Sequence, residues 1–298
     1  MNAFEPDLPE DFESFWVEAV QEAKTAPLDY HRDLDPASVT DEHVIETLSF
    51  RSIDGSAKRG WIAYPSGARR CPGFLWLPPY GRESALPNAY GTRSGFVSLS
   101  LNYFGHDAFH QEAYQPARGY FAEGAAEPRS WILRRMFQDA FLAARVLQAQ
   151  VEVDEDRIAS MGMSQGGGMS IWLGAWCSIV KAVCADMPFL GAMRAALDRN
   201  AHRYPMKELI DFAESIPVGM ARVLNTVSYF DTMHVATRCQ VPTLVSLGLK
   251  DPAARPENVE AIFRQLPGIK ELRRLDWGHD WHPSMIDANR SWLLTHLQ

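Results

Sequence analysis

One stretch constrains this chain more than any other: Ile158-Ala159-Ser160-Met161-Gly162-Met163-Ser164-Gln165-Gly166-Gly167-Gly168-Met169. A short apolar run ends in Gly162-Met163-Ser164-Gln165-Gly166, and a small-residue helical pattern from Met169 to Trp176 follows at once. Strand, sharp turn and helix in that order present a serine hydroxyl at the top of a sheet. A Cβ at either flanking glycine collides with the neighbouring strand or helix, and the serine sits in a strained backbone conformation. The backbone N–H of Gln165 is left at a helix N-terminus, aimed at the oxygen of any carbonyl that Ser164 attacks. A Gly-rich turn that merely starts a helix has the same letters, so the pentapeptide acquires meaning only from its surroundings.

Those surroundings alternate between two periods. Phe12, Phe15, Trp16, Ala19, Val20 and Ala23 share one face of an opening helix over 9–25. Runs at 43–53 and 58–64, separated by Asp54-Gly55-Ser56, read as a hairpin. Gly73-Phe74-Leu75-Trp76-Leu77 and 95–101 are buried strands, and 107–129 is a long Gly/Pro/aromatic loop of the kind that is usually functional. A helix over 129–149 carries Leu133, Met136, Phe137, Ala140, Phe141, Ala144 and Leu147 and leads into the Ser164 strand. Strands at 179–185, 241–247 and 270–276 follow, with helices at 257–266 and 283–296. Strands alternating with helices imply a mostly parallel sheet covered on both faces. We therefore expect one α/β domain over 1–298, an α/β-hydrolase fold, with a small helical cap inserted at about 191–238.

Charge and composition exclude several classes. A net charge of −8 without a compensating basic stripe argues against nucleic acid or an anionic membrane surface as partner. Arg134-Arg135 and Arg273-Arg274 read as solvated or helix-flanking pairs. No segment reaches the roughly 18 apolar residues of a membrane span, and the acidic first residues lack an apolar signal core. Cys71, Cys177, Cys184 and Cys239 show no C-x-x-C spacing and behave as small hydrophobes. The expectation is a reduced, cytoplasmic protein.

A serine needs a base, and the base needs an acid, in the chain order Ser, Asp or Glu, His. Asp251 stands just after the 241–247 strand and His279 just after the last strand, at the carboxyl ends where catalytic groups collect. Asp186 also follows a strand and competes as acid; His282 competes as base. The second oxyanion donor should follow the third strand. Pro78 and Pro79 have no N–H, so Tyr80 is the first donor available, its ring walling an acyl pocket with Trp277 and Trp281. His106, His110, His279, Asp280 and His282 invite a metal, but none shows H-E-x-x-H or another helical spacing, and no Gly-rich phosphate loop is present. Neither metal nor cofactor is expected. Met161, Met163 and Met169 read as core.

Several segments are similar to the acetyl xylan esterase/cephalosporin C deacetylase family of α/β hydrolases, carbohydrate esterase family 7. They are Pro128-Arg129-Ser130, Arg134-Arg135 with Asp139, the 162–168 elbow, and Asp186-Met187-Pro188-Phe189-Leu190. Val227-Ser228-Tyr229-Phe230-Asp231, Gly248-Leu249-Lys250-Asp251 and Gly278-His279-Asp280 continue the likeness. The resemblance implies Ser164 as nucleophile, Asp251 as acid, His279 as base, and the N–H groups of Gln165 and Tyr80 as oxyanion hole. It implies deacetylation of small acetylated sugars without a cofactor, in an intracellular ring-shaped hexamer. The family's His-Gly-Tyr reads Pro78-Pro79-Tyr80 here, its Arg-Gly-Gln reads Phe104-Gly105-His106, its His-Glu reads His279-Asp280, and the 107–127 loop is shortened. The expected activity is a serine carboxylesterase on short acyl esters. A serine peptidase or acyltransferase shares the chemistry, and a silent binding protein shares the scaffold.

Overall fold

The computed structural model describes residues 8–34, 42–81, 86–104, 107–109, 119–200 and 203–298. Among them, nine strands form one sheet: β1 (Tyr30–Leu34), β2 (His43–Arg51), β3 (Ala57–Pro65), β4 (Cys71–Leu77), β5 (Val97–Asn102), β6 (Val153–Met163), β7 (Val180–Asp186), β8 (Thr243–Gly248) and β9 (Lys270–Leu275). The spatial order is β1-β2-β3-β5-β4-β6-β7-β8-β9. The first three strands and β5 pair antiparallel, and every pairing from β5 to β9 is parallel. The hairpin pairs Arg51 with Ala57 across the turn read at Asp54-Gly55-Ser56. Only β1, a five-residue edge strand with one apolar residue at each end, had no legible pattern.

The central parallel strands β4, β5 and β8 and the second half of β6 are almost wholly buried because both of their faces are covered, while the edge strand β9 carries Lys270, Glu271, Arg273 and Arg274. Phe74 and Trp76 of β4 enter one buried cluster, with Met161 of β6 and Cys184 of β7; Leu75 and Leu77 enter the other. The smaller cluster is closed by Leu293 of helix α9 (Ser284–His296). The larger carries α1 (Phe12–Thr25), α2 (Ile132–Gln148), α3 (Gln165–Trp176) and α8 (Pro256–Gln265). Between β7 and β8 stand four helices, α4 (Met193–Asn200), α5 (Met206–Ser215), α6 (Gly219–Tyr229) and α7 (Thr232–Ala236).

Helix α3 begins at Gln165 and not at Met169, because the turn passes straight into helix from the serine. It is locked from behind by an aromatic cluster. The Trp16 ring lies 5.1 Å from Trp172, 5.3 Å from Phe137 and 5.1 Å from Phe230, tilted or edge-on in each case. Such pairs contribute about 0.5–1.5 kcal/mol each beyond their buried area. One residue of α1 thereby ties together α2, α3 and the connection between α6 and α7.

Arg134 is not solvated. It is 8% exposed, its guanidinium pairs with Glu18 and Glu22 of α1, and α1 covers this side of α2. Arg135 pairs with Asp54, and Arg274 on β9 with Glu260. Of the expected 107–129 loop, 110–118 lie outside the described residues, and 120–131 form successive turns before α2. Met161, Met163 and Met169 are core, all four cysteines are unpaired, and among the described residues no helix is long and apolar enough to cross a membrane.

Candidate active site

Ser164 joins β6 to α3 with φ 56° and ψ −117°, a conformation that side chains other than glycine rarely adopt. The surroundings over-determine it. The Ser164 N–H donates to the Asp186 carbonyl at 2.9 Å, and its own carbonyl accepts from Gly168 and Phe189 at 3.1 and 2.8 Å. The flanking glycines make the turn fit. A Cβ on Gly166 would lie 2.0 Å from the Leu77 carbonyl oxygen; one on Gly162 would lie 2.5 Å from that of Gly166. Neither neighbour is a flexible side chain, so the sheet and helix can approach this closely only without those atoms.

The distant partners arrive at the same sheet edge. His279, four residues past β9, places Nε2 2.9 Å from Ser164 Oγ and Nδ1 2.6 Å from Asp251 Oδ2. Asp251, three residues past β8, is buried, and its Oδ1 accepts from the N–H groups of Ala253 and Ala254 at 2.8 and 2.9 Å. An ionised carboxylate only accepts, so the imidazole proton faces Asp251 and Nε2 is left to accept from the serine. The His279 side chain is 23% exposed and that of Asp251 fully buried. The imidazole meets solvent and the carboxylate does not.

The competing residues are used elsewhere. Asp186 accepts from Ser246 Oγ at 2.6 Å and Asn289 Nδ2 at 2.8 Å, and burial pushes its carboxyl up. His282 bonds Ser284 through Nδ1 at 2.8 Å, its ring edge-on to Trp277. Among the described residues no group of three His, Cys, Asp or Glu side chains could hold a metal; His106 and His110 lie outside them.

Ser164 and His279 open into a pocket of about 400 Å³ lined also by Pro79, Tyr80, Met163, Phe189, Arg203, Tyr204, Pro205, Pro252, Ala253, Asp280 and Trp281. Trp277 is not a wall. It is 41% exposed, does not line the pocket, and sets its ring edge-on to His282 instead. Trp281 is the wall, its ring 5.1 Å from Trp76 and 5.2 Å from Tyr90. Arg203, Tyr204 and Pro205 come from the stretch before α5 and were invisible in the sequence, where nothing ties them to the elbow. Phe189 falls three residues past the end of β7, a position that places it near the same sheet edge.

Gln165 follows the serine directly, and Tyr80 lines the same pocket as Ser164. Gln165 is the first residue of α3, and its buried Oε1 accepts from the Tyr120 hydroxyl at 3.3 Å. Tyr80 follows the two prolines and packs 5.0 Å from Tyr120 and edge-on to Phe121 at 5.8 Å. Its phenol donates to Glu208 of α5.

Comparison with known proteins adds to this geometry. The acetyl xylan esterase (AXE1) family model matches residues 4–296. The acetyl esterase Axe7A of Xylanibacter ruminicola is 22% identical over 286 residues, 90% of this chain and 64% of that protein, so the chain spans under two thirds of this curated relative. The acetyl xylan esterase of Paenibacillus sp. R4 superposes with a TM-score of 0.88 at 25% identity, over 99% of this chain and 98% of that one. Acetyl xylan esterase 1 of Thermoanaerobacterium sp. JW/SL YS485 has a TM-score of 0.87 at 22% identity, over 99% and 96%. The fold is that of the α/β hydrolases.

Proposed function

The chain belongs to the acetyl xylan esterase family, and from that premise we propose that it hydrolyses acetyl and other short acyl esters of sugars through an acyl-serine intermediate. One observation carries the reading: the unbroken hydrogen-bond chain from Ser164 through His279 to Asp251. Ser164 Oγ attacks the ester carbonyl carbon as its proton passes to His279 Nε2, and the carbonyl electron pair moves onto oxygen. The N–H groups of Gln165 and Tyr80 hold that oxyanion. When the pair returns, the bond to the alcohol oxygen breaks and the alcohol leaves with the proton from His279. Water then gives a proton to the same nitrogen as it adds to the acyl carbon; when the bond from that carbon to Ser164 Oγ breaks, the serine oxygen takes the proton back from His279 and acetic acid leaves. Asp251 keeps the imidazole in the required tautomer and balances its charge throughout.

Acetylated xylan fragments, named for the relatives, are the first substrates to try. The free thiols suit a reducing compartment, so the proposal includes a cytoplasmic location, and the family resemblance extends it to a homo-oligomer. The test is turnover of p-nitrophenyl acetate and of acetylated xylo-oligosaccharides by the wild type and by Ser164→Ala. Equal rates in the two proteins sink the reading; loss of turnover only in the variant, insensitive to a chelator, supports it.

A further inference from the structure

Tyr80 is an unusual place to hang a backbone donor. The two residues before it are prolines, which have no N–H to anchor this segment. Its anchor is a side chain. The phenol donates to Oε1 of Glu208, and Oε2 of the same carboxylate accepts the Phe121 N–H at 2.7 Å. Glu208 is 7% exposed, on α5, 128 residues away in the chain. The Tyr120 hydroxyl extends the set: it lies 3.5 Å from the Gly81 N–H and donates to Gln165 Oε1. A Cβ on Gly119 would stand 3.2 Å from Glu208 Oε2, so the loop closes tightly over the carboxylate.

A buried carboxylate is expensive unless its oxygens are occupied. Burial does push the Glu208 carboxyl up, and the Tyr80 phenol and the N–H groups of Phe121 and Ala122 oppose that. The donors that occupy it belong to the oxyanion residue and to the loop packed on that residue's ring. Resting on the proposed esterase reading, we propose that Glu208 is a positioning residue that holds Tyr80 so that its N–H meets the developing oxyanion. The α4–α7 stretch thereby sets the oxyanion hole as well as the pocket wall.

The oxyanion forms in both acylation and deacylation, so a loosened Tyr80 slows both steps together and leaves KM nearly unchanged. The measurements are kcat and KM for p-nitrophenyl acetate, and the affinity for an alkyl trifluoromethyl ketone, whose adduct with Ser164 carries the oxyanion. Glu208→Ala and Tyr80→Phe are each expected to lower kcat about 10–100-fold, less than deletion of a direct donor. KM should stay within about twofold, and ketone affinity should fall in step with kcat/KM. The double variant should be no worse than the worse single, because the bond between Tyr80 and Glu208 is lost in each. Glu208→Gln, which can still bond the phenol, should recover most of the rate. A loss confined to KM, an unchanged ketone affinity, or fully additive losses overturn the proposal. Should Glu208→Ala fail to fold, Tyr80→Phe reads the same bond from its other end. If Ser164→Ala retains wild-type turnover, it is the esterase reading that fails, not the role of Glu208.

Discussion

Asp251 and His279 meet through one short bond, Oδ2 to Nδ1 at 2.6 Å, while the second carboxylate oxygen is fully engaged by the N–H groups of Ala253 and Ala254. Asp251→Asn can keep the backbone bonds through its carbonyl oxygen, but it presents an amide donor to Nδ1. The imidazole then carries its proton on Nε2 and cannot accept from Ser164. We expect kcat to fall roughly 10⁴-fold with the melting temperature little changed, and Ser164→Ala to lower kcat by roughly 10⁶. Steady-state kinetics with calorimetry check both; an Asp251→Asn enzyme within tenfold of wild type contradicts the assigned role.

Gly166→Ala should be among the most damaging small substitutions in the chain. The added methyl has to displace the Leu77 carbonyl, 2.0 Å away, on a strand at the middle of the sheet. The cost should exceed about 4 kcal/mol. Loss of soluble expression, or a urea midpoint far below wild type, is the expected result. A normal midpoint with normal activity contradicts the close approach.

The backbone at Ser164, φ 56° and ψ −117°, costs a side chain more than it costs glycine. Removing the hydroxyl in two ways separates strain from chemistry. Ser164→Gly should be about 1 kcal/mol more stable than Ser164→Ala, both being inactive. Urea unfolding of the pair measures it, and an alanine variant equal to or better than glycine means the turn is relaxed.

Asp54 gives a stability effect with a predictable pH window. Burial raises its carboxyl, but bonds from the Ser56 hydroxyl and N–H and the charges of Arg135 and Lys58 outweigh that and bring it down to about 2 from an ordinary 3.8. A depressed carboxyl stabilises the fold above its unfolded value and loses that contribution as pH falls through the folded one. With 35% of the side chain exposed, screening reduces the contribution to about 1 kcal/mol. Asp54→Asn should therefore be less stable than wild type by about that much at pH 7, and the gap should close between pH 4 and 2. Paired unfolding curves across that range check it; a gap that widens on acidification has the wrong sign.

The pocket has to hold both halves of an ester in about 400 Å³, between Tyr80, Phe189 and Trp281. p-Nitrophenyl acetate should be turned over with kcat/KM at least about tenfold above the octanoate ester. A chain-length profile from acetate to octanoate measures this, and a rate rising with length would show that the wall yields.

Much of the site was legible because its residues obey local rules. The elbow needs glycine where strand and helix nearly touch, and the aspartate and the histidine each follow a strand, so chain order alone pointed to Ser164, Asp251 and His279, whose side chains the fold brings together. Tyr80 was reached by elimination, since two prolines cannot donate. Trp277 and Trp281 look equally suited to wall the pocket in the sequence, because which side chain of a loop reaches a pocket is decided by the path of the loop and not by composition; only Trp281 lines it. Arg134 is similar: a charge in the first turn of a helix looks solvated until a second helix is known to cover it.

The sequence by itself determined the order of strands and helices apart from the edge strand β1, the sharp turn at Ser164 and the identity of the three residues expected to do the chemistry. These follow from periodicity, from the steric need for glycine, and from the rule that loops at strand ends carry function. Only the tertiary structure decided what surrounds them: Arg203 and Tyr204 at the pocket, and Glu208 gripping the Tyr80 phenol across 128 residues. Such contacts join segments whose separation in the chain carries no repeating pattern, and packing of the whole sheet and its helices is what brings them within bonding distance.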